Sequence, residues 1–261
     1  MRAVVWVLFV VVMYLILTEA VWRWVKLPGL GDVGFTVAFV LFALLHCAAI
    51  EGWKRTGIFF AISAVVSYAM EEVGVRTGMV YGAYHYSDML GAKLGHVPVL
   101  IPLAWFMMIY PSWMVARALL SGMETRKVGG ITALAAVAAI VMTAWDVVMD
   151  PGMARAGNWV WEHGGVYFGV PRRNYLGWLA TTFLVYWIVG WMWRRVKVSR
   201  EVTRVFEALP VVVYAFFACR YVLQNRILEL ELIALFAMGL PGLVAVVRVF
   251  GEREVVSSEG L

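Results

Sequence analysis

Long apolar runs, separated by short polar gaps, dominate the chain. Within each run the apolar residues follow one another and do not alternate with polar ones, and each run is long enough to cross a hydrocarbon layer of roughly 30 Å as a helix. Inside a membrane every backbone polar group needs an internal partner, and a continuous apolar run meets that need as a helix. The pattern therefore predicts an all-α fold, a polytopic transmembrane helix bundle.

Eight runs qualify as membrane helices. They cover residues 4–24, 33–50, 57–72, 97–119, 129–150, 176–193, 208–223 and 228–249. The shortest runs lie at the lower limit of a membrane span, so seven helices is the alternative count. No linker, repeat or change of composition divides the chain. We predict one integral membrane domain over residues 1–261, with the motifs described below concentrated in residues 57–193.

Composition agrees with this pattern. Apolar residues make up 63% of the chain and charged residues 15%, and the mean hydropathy is +0.81. A water-soluble domain of this size cannot bury so much apolar surface. The net charge of +5 would suit nucleic acid, but the basic residues fall in the gaps between apolar runs. The expected partner is therefore the lipid bilayer of the cell membrane, and nucleic acid is not expected.

The basic residues also indicate an orientation. With eight spans, 13 of the 22 Lys and Arg residues fall on the side of the two termini, and the other 9 fall on the opposite side. The 13 residues on the side of the termini are Arg2, Lys54, Arg55, Arg117, Arg126, Lys127, Arg194, Arg195, Lys197, Arg200, Arg204, Arg248 and Arg253. Because cytoplasmic loops carry the excess of basic residues, both termini are predicted to be cytoplasmic.

Two gaps differ from the others because they are long and rich in Gly, aromatic and polar residues. They run from Glu71 to His96 and from Asp150 to Tyr175. Loops held on a rigid scaffold are common places for binding and chemistry. With eight spans, both gaps open on the non-cytoplasmic side.

The fifth helix carries Asp146 and Asp150, four residues apart and so on one helix face. An acid inside a membrane helix is costly and is a functional candidate by default. Two carboxyl groups held together in a weakly polar site do not easily both ionise, so one is expected to keep its proton, as a general acid requires. The structural alternative is that Asp150 caps the helix or meets Arg155, while Asp146 bonds a neighbouring helix.

A second acidic pair, Glu71 and Glu72, lies where the third helix meets the first unusual gap. Adjacent residues point about 100° apart on a helix, so at most one of them faces the interior, and register alone does not choose between them. The two gaps also supply aromatic and polar side chains. These are Tyr81, Tyr84, His85, Tyr86, Trp159, Trp161, His163, Tyr167 and Asn174. Singly each suits an interfacial anchor, but their concentration in two gaps favours a shared site.

Several chemistries are disfavoured by the sequence. The five lysines lie at helix ends or in gaps, so none suits a buried retinal Schiff base. The four histidines lack the close helical pairing that a di-iron oxygenase needs. A glycine pattern at 29–34 has no strand before it, so it does not indicate a dinucleotide site. A magnesium-dependent prenyltransferase needs two acid-rich motifs to hold a diphosphate, and only Asp146 to Asp150 resembles one, so this class is also disfavoured. We expect no metal and no cofactor.

Two ordered sets of motifs carry a family resemblance. The first half contains Glu71-Glu-Val-Gly74-Val-Arg-Thr77-Gly78, Tyr81-Gly82-Ala-Tyr84-His-Tyr86, Val97-Pro98 and Ile101-Pro102-Leu-Ala-Trp105. The second half contains Asp146, Asp150-Pro151, Gly157-Asn-Trp159-Val-Trp161, Gly165-Val-Tyr167-Phe168-Gly169-Val-Pro171, Asn174 and Gly177-Trp178. From the third helix to the sixth, the chain resembles the membrane carotenoid biosynthesis family, which includes bisanhydrobacterioruberin hydratases and γ-carotene 1',2'-hydratases.

The resemblance implies a cofactor-independent hydro-lyase that adds water to the end group of an acyclic carotenoid, of C40 or C50 length. The acid of the family's first motif stands three residues before the glycine, which favours Glu71 over Glu72. Asp146, Asp150 and Glu71 are then the candidate catalytic residues. The candidate substrate-binding residues are Glu72, Tyr81, Tyr84, His85, Tyr86, Trp105, Trp159, Trp161, Tyr167 and Asn174. Other membrane enzymes of carotenoid biosynthesis are candidate partners.

The residues fit this chemistry without the resemblance. A protonated carboxyl in the aspartate pair suits the donor that alkene hydration requires, and the aromatic faces suit a carbocation. Two alternatives remain at this point. A transporter would relay protons through the same acids, and a non-catalytic carotenoid-binding protein would keep the aromatic walls without needing the acids.

Overall fold

The computed structural model describes residues 1–194 and 202–251. In these residues the chain forms eight helices. They are α1 Arg2–Ala20, α2 Gly31–Glu51, α3 Trp53–Thr77, α4 Leu100–Leu119, α5 Val128–Arg155, α6 Arg172–Trp193, α7 Arg204–Gln224 and α8 Leu228–Gly251. All but α4 are long and apolar enough to span a membrane. The all-α prediction is confirmed, and the chain is a multi-pass membrane protein.

Helix α4 lies at the centre of the bundle and packs against α2, α3, α5 and α7. Every residue from Trp105 to Ala116 is buried. A helix that is covered on all sides belongs to the core of a bundle. Two prolines, Ser112 and Arg117 lower its hydropathy, but its 20 residues match the length of its neighbours.

The two unusual gaps pair with each other through short strands. Strands β1 (Tyr84–Tyr86) and β4 (Trp159–Trp161) are antiparallel, with Tyr84 opposite Trp161 and Tyr86 opposite Trp159. A smaller pair joins β2 (Lys93–Leu94) to β3 (Val97–Pro98). Side chains alternate along a strand, so Tyr84 and Tyr86 face the bundle together and His85 faces outward. Apolar periodicity did not predict these strands.

Two helices continue five residues past their predicted ends, and both extensions bear on the acids. Helix α3 reaches Thr77 and ends at Gly78 in the left-handed conformation (φ +66°), which glycine adopts without a steric penalty. Helix α5 continues through Pro151 to Arg155. A proline has no N–H for the carbonyl four residues earlier. The hydroxyl of Tyr167 donates to that carbonyl, on Val147, at 3.1 Å.

The β1–β4 pairing places the α3–α4 and α5–α6 loops at the same end of the bundle. The α4–α5 loop lies at the other end, with the ends of α2 and α6. Four of the basic residues used to predict orientation lie outside the described residues, namely Arg195, Lys197, Arg200 and Arg253.

Candidate active site

Three buried carboxyl groups from two helices line one cavity beneath the β1–β4 ladder. Glu71 of α3 is 3% exposed, and Asp146 and Asp150 of α5 are each 1% exposed. The cavity has a volume of about 100 Å³, several times the roughly 10–15 Å³ that one water molecule requires. Buried acids beside a cavity in a membrane helix bundle make it the candidate functional site.

The two aspartates are bridged by one amide from the neighbouring helix. Nδ2 of Asn174 on α6 donates to Oδ2 of Asp146 and to Oδ2 of Asp150, each at 2.8 Å. Oδ1 of Asp150 accepts from the indole N–H of Trp159 at 2.6 Å. Oδ1 of Asp146 has no hydrogen-bond partner among the described residues. The pair is therefore asymmetric, and Asp150 is held by Trp159 and Asn174 instead of by Arg155.

Three donors surround the carboxylate of Glu71. The hydroxyls of Tyr84 and Tyr86 both donate to Oε2, the latter at 2.8 Å, and the indole N–H of Trp105 donates to Oε1 at 3.1 Å. Burial, reinforced by the charge of Glu71, holds the pKa of both tyrosines well above the usual range. Both phenols therefore stay protonated and continue to donate at physiological pH.

The rest of the cavity wall is apolar. The indoles of Trp105 and Trp178 stack with their ring centroids 4.2 Å apart. Met107, Met108, Met149 and Met153 line the cavity, which extends as far as Asp32 and Thr36 at the start of α2. Methionine is flexible and polarizable, so it fits irregular apolar ligands. The site thus combines a few buried acids with walls that suit a hydrocarbon.

Comparison with known proteins assigns the chain to a family. The family model described as carotenoid biosynthesis protein matches residues 31–244. The chain belongs to this family. A bisanhydrobacterioruberin hydratase from Haloarcula japonica is 36% identical over 129 residues, which are 49% of this chain and 42% of the relative. The matched region is therefore less than half of the relative's length. No solved structure matches the chain.

Most of the predicted site residues line the cavity described above. Ten line it, namely Glu71, Tyr81, Tyr84, Tyr86, Trp105, Asp146, Asp150, Trp159, Trp161 and Asn174. Residues from two distant gaps meet because β1 and β4 pair. The hydroxyl of Tyr81 hydrogen-bonds Thr181 at 3.0 Å and lies outside the Glu71 cluster of donors.

Three predicted substrate-binding residues do not line the cavity. Glu72 accepts from the backbone N–H of His96 at 2.9 Å. His85 lies on the outer face of β1, 2.5 Å from Glu162. The hydroxyl of Tyr167 is bound to the Val147 carbonyl. These side chains support helices and loops, and the structure places them away from the cavity.

Other lining residues were not among the predicted site residues. Trp178 stands four residues after Asn174, on the same face of α6, so the spacing from Asn174 would have indicated it. Asp32 lies within a glycine pattern that the sequence analysis had set aside. Met107, Met108 and Met149 lie in continuous apolar runs, where each resembles an ordinary core residue. Met153 is an isolated apolar residue in the second gap and gave no signal either.

Proposed function

We propose that this protein hydrates the terminal double bond of an acyclic carotenoid by acid catalysis and produces a tertiary alcohol. The asymmetry of the aspartate pair carries the proposal. Both oxygens of Asp150 and one oxygen of Asp146 accept hydrogen bonds, and only Oδ1 of Asp146 has no partner among the described residues. The hydratase name of the Haloarcula japonica relative supports the same reaction.

This asymmetry selects the proton donor. Two adjacent carboxyl groups in a buried site share a proton, because ionising both is costly. An oxygen that already accepts an N–H bond is a poor place for that proton. We assign the proton to Oδ1 of Asp146 and make Asp146 the general acid, with Asp150 as the ionised partner.

The reaction then proceeds in two steps. The Asp146 proton adds to the less substituted alkene carbon, and the π bond breaks to leave a cation on the carbon that bears two methyl groups. Water forms a C–O bond to that cation and gives up a proton to Glu71 or Asp150. Return of this proton to Asp146 completes the cycle, so the net change is addition of one water molecule.

The walls of the cavity suit the intermediate and the substrate. A tertiary cation is stabilised by the π faces of aromatic rings, and Trp105 and Trp178 both line the cavity. Glu71 supplies a nearby negative charge, held in place by its three donors. A long polyene dissolves in the bilayer, so we propose that it enters this cavity from the membrane, whose other carotenoid enzymes supply it.

The position of the acids favours a hydratase over a proton transporter. A relay needs acids at several depths in the membrane, whereas Glu71, Asp146 and Asp150 line one cavity at one end of the bundle. The buried Glu51 at the other end is held in ion pairs with Arg55 and Arg117.

The test is pigment analysis in a host that makes an acyclic carotenoid. We expect the intact chain to convert the carotenoid to a product heavier by one water molecule. The Asp146→Asn variant should leave the carotenoid unconverted. Proton flux in carotenoid-free liposomes would instead support a transporter. Carotenoid binding without conversion would support a binding protein.

A further inference from the structure

A second large cleft lies at the end of the bundle opposite the acids. It has a volume of about 540 Å³, and its walls come from the ends of α2, α3, α4 and α6 together with the α4–α5 loop. Its charged lining consists of Arg55, Arg117, Arg126 and Arg194 with the single acid Glu51. Four guanidinium groups face one carboxylate, so the cleft has an excess of positive charge.

Glu51 organises two of these arginines without neutralising the cleft. Its side chain is 3% exposed, and it accepts from Arg55 and Arg117, each at 3.1 Å. A guanidinium has five N–H donors in a planar fork, so each arginine keeps donors for a ligand. The buried carboxylate therefore fixes the position of two forks at the wall of the cleft.

The other two arginines have no acidic partner among the described residues. Arg126 is exposed at the end of the α4–α5 loop. Arg194 donates to the backbone carbonyl of Trp191 at 2.6 Å, and its guanidinium lies over the indole ring of the same residue, 3.8 Å from the ring centroid. Neither contact supplies a negative charge, so an anion bound in the cleft could form an ion pair with the guanidinium of Arg194.

The neighbouring surface has the same sign. Arg117 and Ser121 also line an adjoining cleft of about 260 Å³, where they meet Arg204 and Arg248. One acid, Glu207, lines the same cleft with its carboxylate 4.0 Å from Arg117, so three arginines face one carboxylate there. Trp113 and Trp193 line the larger cleft, and tryptophans are enriched at the depth of lipid headgroups. The indole N–H of Trp113 has no acceptor among the described residues.

We propose that this cleft binds the phosphate group of an anionic phospholipid. Arginine forks match phosphate oxygens in pairs, and basic clefts between helix ends are suited to acidic headgroups. The cleft lies between helix ends, and the ends of helices that span a membrane lie near the lipid headgroups. A free phosphate ion offers the same chemistry, so the experiment separates the two sources.

The experiment compares phosphatidylglycerol, phosphatidylcholine and inorganic phosphate as probes of the purified full chain in detergent, with bound lipid counted by native mass spectrometry. The test variant is Arg126→Gln with Arg194→Gln. The matched control is Arg155→Gln with Arg172→Gln, which removes the same charge at the other end of the bundle. Circular dichroism checks that both variants keep their helices.

We expect phosphatidylglycerol to bind the wild type and the control alike, and the test variant at least about tenfold more weakly, since each basic residue near a membrane surface contributes about fivefold. Displacement of the lipid by millimolar inorganic phosphate would assign the site to phosphate itself, and retention would assign it to the headgroup. Equal binding of phosphatidylcholine, or equal loss in the control, would overturn the proposal.

Discussion

The Nδ2 atom of Asn174 lies 2.8 Å from the Oδ2 atom of Asp146. The same nitrogen reaches Oδ2 of Asp150 at 2.8 Å, so one amide on α6 holds both acids of α5. No hydrogen bond of this kind can be made by an apolar side chain. The amide occupies one oxygen of each acid, and in the proposed mechanism Oδ1 of Asp146 is the oxygen left to carry the proton.

Asn174→Ala removes this bridge, and we expect kcat to fall by at least about tenfold while KM changes little, because the acids lose their orientation and the walls remain. Steady-state kinetics on a solubilised acyclic carotenoid measure both constants. Asn225→Ala is the matched control, since that asparagine lies in the α7–α8 loop. A higher KM with an unchanged kcat would show that Asn174 contacts the substrate and does not position the acids.

Asp146→Asn keeps the shape of the side chain and removes the proton. We expect a folded, membrane-inserted protein whose turnover is lower by at least roughly a hundredfold, the usual scale for a general acid. Size-exclusion chromatography verifies folding, and product analysis measures turnover. If Asp146→Asn keeps near-normal turnover while Glu71→Gln does not, the roles of the two acids must be exchanged.

Tyr84→Phe removes one of the three donors to Glu71. Burial and then the charge of Glu71 raise the pKa of Tyr84, so the phenol stays protonated until the pH exceeds its ordinary value of about 10. The hydrogen bond is therefore present throughout neutral pH and is lost only in strong alkali. We expect kcat to fall about tenfold, by the same factor from pH 6 to pH 9.

The control for this substitution is Tyr68→Phe, because Tyr68 donates to the Leu94 carbonyl at 3.2 Å on the exposed side of α3. Its kcat should equal that of the wild type. A Tyr84→Phe effect that appears only at alkaline pH would contradict the assignment of a permanently protonated phenol.

Water is the proposed source of the hydroxyl oxygen. An anaerobic reaction with chelator, in water enriched in heavy oxygen, should give a product with one labelled oxygen and one solvent hydrogen on carbon. The hydroxyl should lie on the carbon that bears two methyl groups, because that carbon forms the more stable cation. Loss of turnover without air, or a product without labelled oxygen, would contradict the hydratase assignment and indicate an oxygenase.

The proposed orientation places the β1–β4 end outside the cytoplasm. We expect Met89→Cys to react with a membrane-impermeant maleimide in intact cells and Met123→Cys to react only after lysis. Both positions are exposed, at opposite ends of the bundle, and the native Cys47 is buried. The single variants are compared with the unmodified chain to subtract labelling of Cys219. A reversed pattern would place the candidate active site on the cytoplasmic side.

The sequence by itself determined the class of fold and the acids. Long apolar runs need internally satisfied backbones in a membrane, so the helices followed from hydropathy alone. Asp146 and Asp150 stood out because charged groups are costly there. Family resemblance, and not helical register, favoured Glu71 over Glu72, because adjacent positions on a helix differ only in angle.

Tertiary structure decided the environment of each acid. The pairing of β1 with β4 joins residues more than 70 positions apart, and no local pattern encodes such a contact. That pairing brings Tyr84, Tyr86 and Trp159 to the acids and leaves His85 outside. The donor set of each oxygen depends on these long-range contacts, so only the packed structure distinguishes Oδ1 of Asp146 from the other three oxygens of the pair.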